Sequence, residues 1–276
     1  MYPCTHEQEA CKQSCSNPGN EMINNQQHSR KMKEVNYNEL SKKDKRFHEN
    51  FFQRTINSFT VFLLKGLSLL PLRIMYALSD VLCFLVRRIF RYREKVILDN
   101  LHHAFPEKQE KEIKEIARKF YCHFTDLTLE TIKLHSASKK LMDKHITFEG
   151  LETLENYYNQ GKSIIILAMH HNNWEWCSFS QTKGNHQGLL VYNPIRGNRA
   201  MEKFLLHSRE KWGSQCVPVH RSARTAMEFH RSNIPSALWL GADQTPPKTS
   251  RFWTVFLNRE APFFSGPEKI AAKTNQ

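Results

Sequence analysis

The segment LAMHHNNWEW, residues 167–176, sets two histidines, two asparagines and a glutamate directly behind the apolar run Ser-Ile-Ile-Ile. Three chemistries compete for such a set. A metal needs ligands that converge, as in HExxH, where helical spacing puts both histidines on one face. Here His170 and His171 are adjacent, and adjacent side chains of a regular element diverge. No third ligand stands at a useful spacing, so a metal-dependent hydrolase is the weakest reading. A helix start is the second chemistry: Asn172 as N-cap with Glu175 at N3 makes a capping-box-like pair. That accounts for Asn172 and Glu175 and leaves His170 unexplained. The third is general-base catalysis by His170 with Glu175 as its partner. Five residues along one helix rotate by about 500°, roughly 140° off-face. The two side chains therefore meet only if His170 ends a strand and Glu175 sits in the first turn of the next helix. A carboxylate on one ring nitrogen fixes the tautomer and raises the basicity of the other, which suits a base that takes a proton from a hydroxyl.

The surrounding pattern supplies such a junction. From residue 145 onward short apolar runs alternate with helical ones. Strands are expected at 163–169, 188–193, 215–219, 236–242 and 252–257. Helices are expected at 151–160, 172–183, 198–211, 222–233 and 266–274. This alternation predicts an α/β fold with an open, mostly parallel or mixed sheet flanked by helices. In such sheets ligands bind beyond the carboxyl ends of the strands. If the strands are parallel, His170, then His220, Arg221 and Arg224, then Asp243 and Gln244, converge on one edge. Arg221 and Arg224 can grip a phosphate; a solvated helix start capped by Ser222 is the plainer alternative. For Asp243 and Gln244 the plainer alternative is a turn before Pro246 and Pro247.

The N-terminal part is built differently. Residues 1–55 are expected to form a disordered polar lead, rich in Asn, Gln, Lys and Ser, with Met22 and Met32 as alternative starts. No apolar core of a secretory signal is visible there. Residues 56–95 are expected to be a membrane-associated helical segment, and 96–276 the α/β domain. The apolar stretch 58–86 contains Lys65, Pro71, Arg73 and Asp80, so no run reaches the ~18 uncharged residues of a spanning helix. Interfacial helices are favoured, with the cationic cluster RRIFRYREK at 87–95 against lipid headgroups; a tilted span and a buried hairpin are the alternatives. Pro106 and Glu107 are expected to open a long amphipathic helix with Ile113, Ile116, Phe120, Phe124 and Leu127 on one face, bent near Thr125–Asp126.

Lys and Arg exceed Asp and Glu by 13 in the 276 residues. The excess attracts anionic partners. Its concentration behind the apolar stretch favours an anionic membrane surface, with no nucleic acid as partner. Of the seven cysteines, Cys4, Cys11 and Cys15 fall in the lead at spacings that match no zinc pattern, and Cys83, Cys122, Cys177 and Cys216 are expected to be reduced, packed thiols in a cytosolic compartment.

In context the histidine block becomes specific. MHHNNWEW resembles the His-x-x-Asn-Trp-Glu block of the lipid A biosynthesis lauroyl/myristoyl acyltransferases, within the wider glycerolipid acyltransferase-like group with its H-x4-D/E signature. NLHHAFP, VYNPIRGNRAMEKFLLHSREKWG, ALWLGADQTP and VFLNREAPFFSGPEKIAAK resemble further family segments, in the family's order, over roughly 56–276. The resemblance implies acyl transfer from an acyl thioester, on acyl carrier protein or CoA, to a hydroxyl of a membrane glycolipid such as a lipid A precursor. No cofactor is implied. The implied place is the cytoplasmic face of the inner membrane. His170 would be the base and Glu175 its orienting partner; Asn173, Arg209, Asp243 and Gln244 lie in the matching segments and, with Arg221 and Arg224 from the sheet-edge argument, are expected to bind substrate. Locally, Arg209 reads as the last turn of a helix closed by Gly213, an end that faces away from His170 in a parallel unit. Trp174, Trp176, Phe263 and Phe264 line an acyl channel or fill a core. Asn172 stands where the family commonly has glycine, and the family's last strands are missing, so an incomplete C-terminus is expected. The alternative function is a non-catalytic membrane lipid-binding protein with the same fold.

Overall fold

The computed structural model describes residues 48–244, 246 and 249–276. The expectations for residues 1–47, including Cys4, Cys11 and Cys15, lie outside them. Helix α1 (Phe51–Leu69) begins inside the segment assigned above to the polar lead. The cause is a capping box: Gln53 N–H donates to Asn50 Oδ1 at 2.8 Å, and Asn50 N–H donates to Gln53 Oε1 at 3.1 Å. Pro71 separates α1 from α2 (Leu72–Phe84), as its missing N–H and its ring require. The carbonyls orphaned at this break are met by a buried lysine: Lys133 Nζ donates to Ser68 O and Leu70 O, both at 2.9 Å. A π-helical turn, Leu85–Ile89, leads on to α3 (Glu94–Ala104).

Helix α4 (Glu110–Leu134) is the spine of the N-terminal half. It starts at a Gln109–Glu112 capping box rather than at Pro106. It also runs unbroken through Thr125–Asp126, where a bend was expected. Thr125 is fully buried, and its Oγ1 bonds back to Tyr121 O and Cys122 O while accepting from Ser79 Oγ of α2. The hydroxyl is thus satisfied without opening the helix. Close packing of α2 on α4 brings the Cα atoms of Cys83 and Cys122 to 4.9 Å, and the two are disulfide-bonded, contrary to the expectation of reduced thiols. Two isolated cysteines 39 residues apart carry no sequence sign of this. Cys177 and Cys216 are free.

After α5 (Lys139–His145) and α6 (Leu151–Asn159) come β1 (Ile164–Ala168), a 3-10 helix (Trp174–Thr182), β2 (Gln187–Tyr192), α7 (Arg199–Glu210), β3 (Gln215–Pro218), α8 (Ser222–Arg231) and β4 (Ser236–Gly241). The four strands form a wholly parallel sheet in the order β1-β4-β2-β3, so the mixed alternative does not apply to it. Strand β2 steps outward to β3, and β3 steps back across β2 to β4. Right-handed crossovers then put α7 and α8 on opposite faces. Leu189, Val217, Ala237 and Leu238 form the buried middle of the sheet. A second cluster, Leu134, Ala137, Met142, Trp176 and Phe179, ties the end of α4 to the 3-10 helix.

A separate antiparallel hairpin, β5 (Phe252–Phe256) and β6 (Arg259–Phe263), precedes α9 (Gly266–Thr274). Strand β6 was not anticipated. Its two-residue turn uses Leu257 and Asn258, both at positive φ, and Leu-Asn lacks the glycine that signals such turns. No helix among the described residues is long and apolar enough to cross a membrane. Helices α1 and α2 nonetheless leave Phe59, Phe62, Leu69, Val81 and Phe84 more than half exposed.

Candidate active site

Strands β1 and β4 are neighbours in register, with Ala168 beside Gly241. Two residues beyond each end stand His170 and Asp243. The Asp243 carboxylate clamps His170 twice: Oδ2 accepts its backbone N–H at 2.7 Å, and Oδ1 bonds ring Nδ1 at 2.8 Å. Burial alone would raise the Asp243 carboxyl; the hydrogen bonds from the His170 ring and backbone hold it below the ordinary carboxylate range. A carboxylate on Nδ1 selects the tautomer with its proton there and leaves Nε2 as the basic atom. Nε2 has no hydrogen-bond partner among the described residues.

The ring is held on two further sides. Trp174 meets it edge-on, with centroids 4.8 Å apart. Beneath it runs the bare backbone of Gly241: a Cβ there would lie 3.1 Å from His170 Cε1. A side chain at the end of β4 would therefore push the imidazole off its seat.

Glu175 is not the partner of His170, which corrects the expectation from the H-x4-E spacing. It is 8% exposed, and both carboxylate oxygens are taken by Arg209: Nε donates at 2.7 Å and Nη2 at 2.5 Å. The backbone explains the divergence. Asn172 turns through positive φ, and the 3-10 helix starts one residue later than expected, with Asn173 as the cap accepting Trp176 N–H. Glu175 then faces the interior, where an ionised carboxylate needs a cationic, hydrogen-bonding partner. Burial alone would lower the Arg209 guanidinium; the Glu175 carboxylate reverses this and raises it. Arg209 thus sits at the closing turn of α7 and holds the 3-10 helix.

Asn173 is likewise occupied, its Nδ2 donating to Glu130 Oε2 at 2.6 Å. Glu130 Oε1 accepts Tyr76 Oη from α2, so the loop after His170 is moored to the N-terminal helices. Arg221 and Arg224 do lie beyond the carboxyl end of β3. That strand is three places from β1, about 14 Å across the sheet, so they do not adjoin His170. His220 shares their position. Gln244 is exposed beside Asp243. Trp176 is core, whereas Trp174 borders the imidazole. Phe263 meets the rings of Phe252 and Phe256 edge-on within the hairpin, and neighbouring Phe264 is half-buried. No group of three or more His, Cys, Asp or Glu side chains among the described residues is arranged to hold a metal ion.

Gly241 and Glu130 are the site residues that sequence reasoning missed. A glycine closing a strand directly before the Asp-Gln pair was the available sign for the first. Nothing local marks Glu130, which lies on an amphipathic helix among many charges.

The sequence model of a family described as bacterial lipid A biosynthesis acyltransferase matches residues 42–276. No curated protein matches the chain.

Proposed function

Because this chain belongs to the bacterial lipid A biosynthesis acyltransferase family, we propose that it moves a fatty acyl chain from an acyl thioester to a hydroxyl of a membrane glycolipid, with His170 as general base. The observation that carries this reading is the Asp243–His170 clamp with its unpartnered Nε2. The acceptor O–H donates its proton to Nε2 as its oxygen attacks the thioester carbonyl carbon. Asp243 steadies the imidazolium so formed. The tetrahedral oxyanion collapses, the C–S bond breaks, and the departing thiolate takes the proton back from Nε2. Atoms and charge balance without an acyl-enzyme and without a cofactor. A general base of this kind contributes on the order of 10²–10⁴-fold; positioning supplies the rest.

The thioester is carried by acyl carrier protein or CoA, and a basic chain suits an acidic carrier. The exposed apolar residues of α1 and α2, followed by Arg87, Arg88, Arg91 and Arg93, support attachment to an anionic membrane surface at the cytoplasmic face of the inner membrane. A lipid A precursor is the acceptor the family favours.

Transfer of labelled acyl groups from acyl carrier protein to membrane lipid tests the reading. His170→Ala should lower the rate by roughly 10²-fold or more with folding intact, while His171→Ala should not. Equal losses at both positions would remove His170 as the base. Lipid binding without any transfer by the wild type would leave a lipid-binding protein of this fold.

A further inference from the structure

Helices α1 and α7, together with His135, line an open cleft of about 490 Å³. Its walls are one stripe of each helix at i, i+3, i+4, i+7 spacing. On α1 the stripe is Ser58, Val61, Phe62 and Lys65; on α7 it is Ala200, Lys203, Phe204 and His207. The helices are moored where both begin: Asn57 Nδ2 donates to Gly197 O at 3.1 Å, and Arg199 N–H donates to Glu49 Oε1 at 3.2 Å. At that end a serine faces an alanine, and two such small residues leave space that a larger pair would fill. The space continues into a smaller cavity of about 300 Å³, which shares Ser58, Ala200 and Lys203 and is bordered by Arg54 and Arg199.

The charge around the larger cavity has one sign. Lys65, Lys203 and the rings of His135 and His207 line it, and no carboxylate does. Neither Lys65 nor Lys203 makes an ion pair among the described residues. The ring of His135 stacks on Phe204 at 4.4 Å and lies 5.0 Å from that of His207. Burial first, and then His207, Lys65 and Lys211, push the His135 pKa down. The smaller cavity's carboxylate, Glu49, already accepts from Arg199 N–H and Asn57 Nδ2. The other half of the lining is apolar. Val61 and Phe204 are buried at its base, and Phe62, 70% exposed, leads out onto the apolar face of α1.

We propose that this cleft binds the phosphate of an ester that also carries an acyl chain. A carboxylate offers one charge and two oxygens; a phosphate offers more acceptors, enough to engage Lys65 and Lys203 together. The chain lies along Phe62, so the ligand's two chemistries match the two halves of the lining. A lipid headgroup and the phosphodiester arm of a thioester donor share this chemistry. The site does not depend on the role assigned to His170, because binding is read without turnover.

The test is calorimetric titration of the full chain with dioctanoyl phosphatidic acid below its micelle concentration. Octanoyl-CoA forms a second arm, and dioctanoylglycerol is the phosphate-free control. We expect phosphate-dependent binding that Lys65→Gln with Lys203→Gln weakens at least tenfold, and that His170→Ala leaves unchanged. Tighter binding of phosphatidic acid identifies a lipid headgroup as the source; tighter binding of octanoyl-CoA, lost in the same variants, identifies the donor arm. Ala200→Leu keeps every charge but fills the space, and should also abolish binding. Wild-type affinity in the double lysine variant or in Ala200→Leu, or equal affinity for dioctanoylglycerol, would overturn the proposal.

Discussion

Two carboxylate pairs lie within a few residues of each other in this protein, and they differ in almost every respect. His170–Asp243 joins the ends of two adjacent strands, and both side chains are about one-third exposed. Glu175–Arg209 joins the 3-10 helix to α7, with side chains 10% and 21% exposed. The first leaves a ring nitrogen, Nε2, without a hydrogen-bond partner among the described residues. The second closes both carboxylate oxygens on one guanidinium. A base must be reachable by its substrate, whereas a mostly buried ion pair holds elements together and is costly to break. Six residues of sequence, His170 to Glu175, thus supply one member to each of two machines.

The comparison breaks most sharply at Asp243. Asp243→Asn keeps the shape but removes the charge that steadies the imidazolium, and it allows the wrong tautomer. Turnover should fall by about 10²–10⁴-fold, as for other partners of a histidine base, with the melting temperature nearly unchanged. Acyl-transfer kinetics beside a thermal melt decide this; normal turnover would dissolve the distinction between the pairs.

Glu175→Gln should behave in the opposite way. It leaves the Arg209 charge in a mostly buried place with one neutral acceptor. The destabilisation should be about 1–3 kcal/mol, reduced from a fully buried pair because Gln still accepts a hydrogen bond. Turnover per folded molecule should drop much less than in Asp243→Asn. Denaturant unfolding checks the first part. A stable variant with lost turnover would place Glu175 in the chemistry after all.

Gly241→Ala sharpens the picture of the imidazole's seat. The new Cβ falls 3.1 Å from His170 Cε1, tighter than ordinary van der Waals contact. A shift of the ring by a fraction of an ångström should lower kcat by about tenfold, since small misplacements of reacting groups carry large rate penalties. Gly184→Ala, where a Cβ meets nothing within 4 Å, is the matched control. Equal kinetics in the two variants would show that the glycine is not needed.

The smallest effect is on acid stability. The Asp243 carboxyl is lowered from 3.8 on folding, so its contribution is fully present above that value and fades as pH falls through the lower folded-state value. Asp243→Asn should therefore flatten the acid limb of the stability curve below pH 4 and leave the region above pH 5 parallel to the wild type. Superimposable acid limbs would mean that the clamp adds nothing to folding.

Much of the frame was legible in the residues. Five strands and the helices between them follow from apolar runs of strand length alternating with amphipathic ones, and Pro71 marks its own break. These are local signals, carried by periodicity and backbone restriction. What failed were pairings. The turn at Leu257–Asn258 lacked a glycine, so β6 was hidden. Cys83 and Cys122 became partners through the packing of α2 on α4. Glu175 lost its expected role because one left-handed residue, Asn172, rotated the following turn inward.

By itself the sequence determined the family, the α/β alternation, and His170 as a side chain set just beyond a strand end, because each rests on residue types at short range. Only the tertiary structure decided which carboxylate serves that histidine. Strand order is not written in any local stretch: β4 inserts between β1 and β2, and this brings a residue 73 positions away within 2.8 Å of the imidazole. The nearer glutamate, five positions along, is drawn to Arg209, since a buried charge must find a counter-charge before it can do anything else.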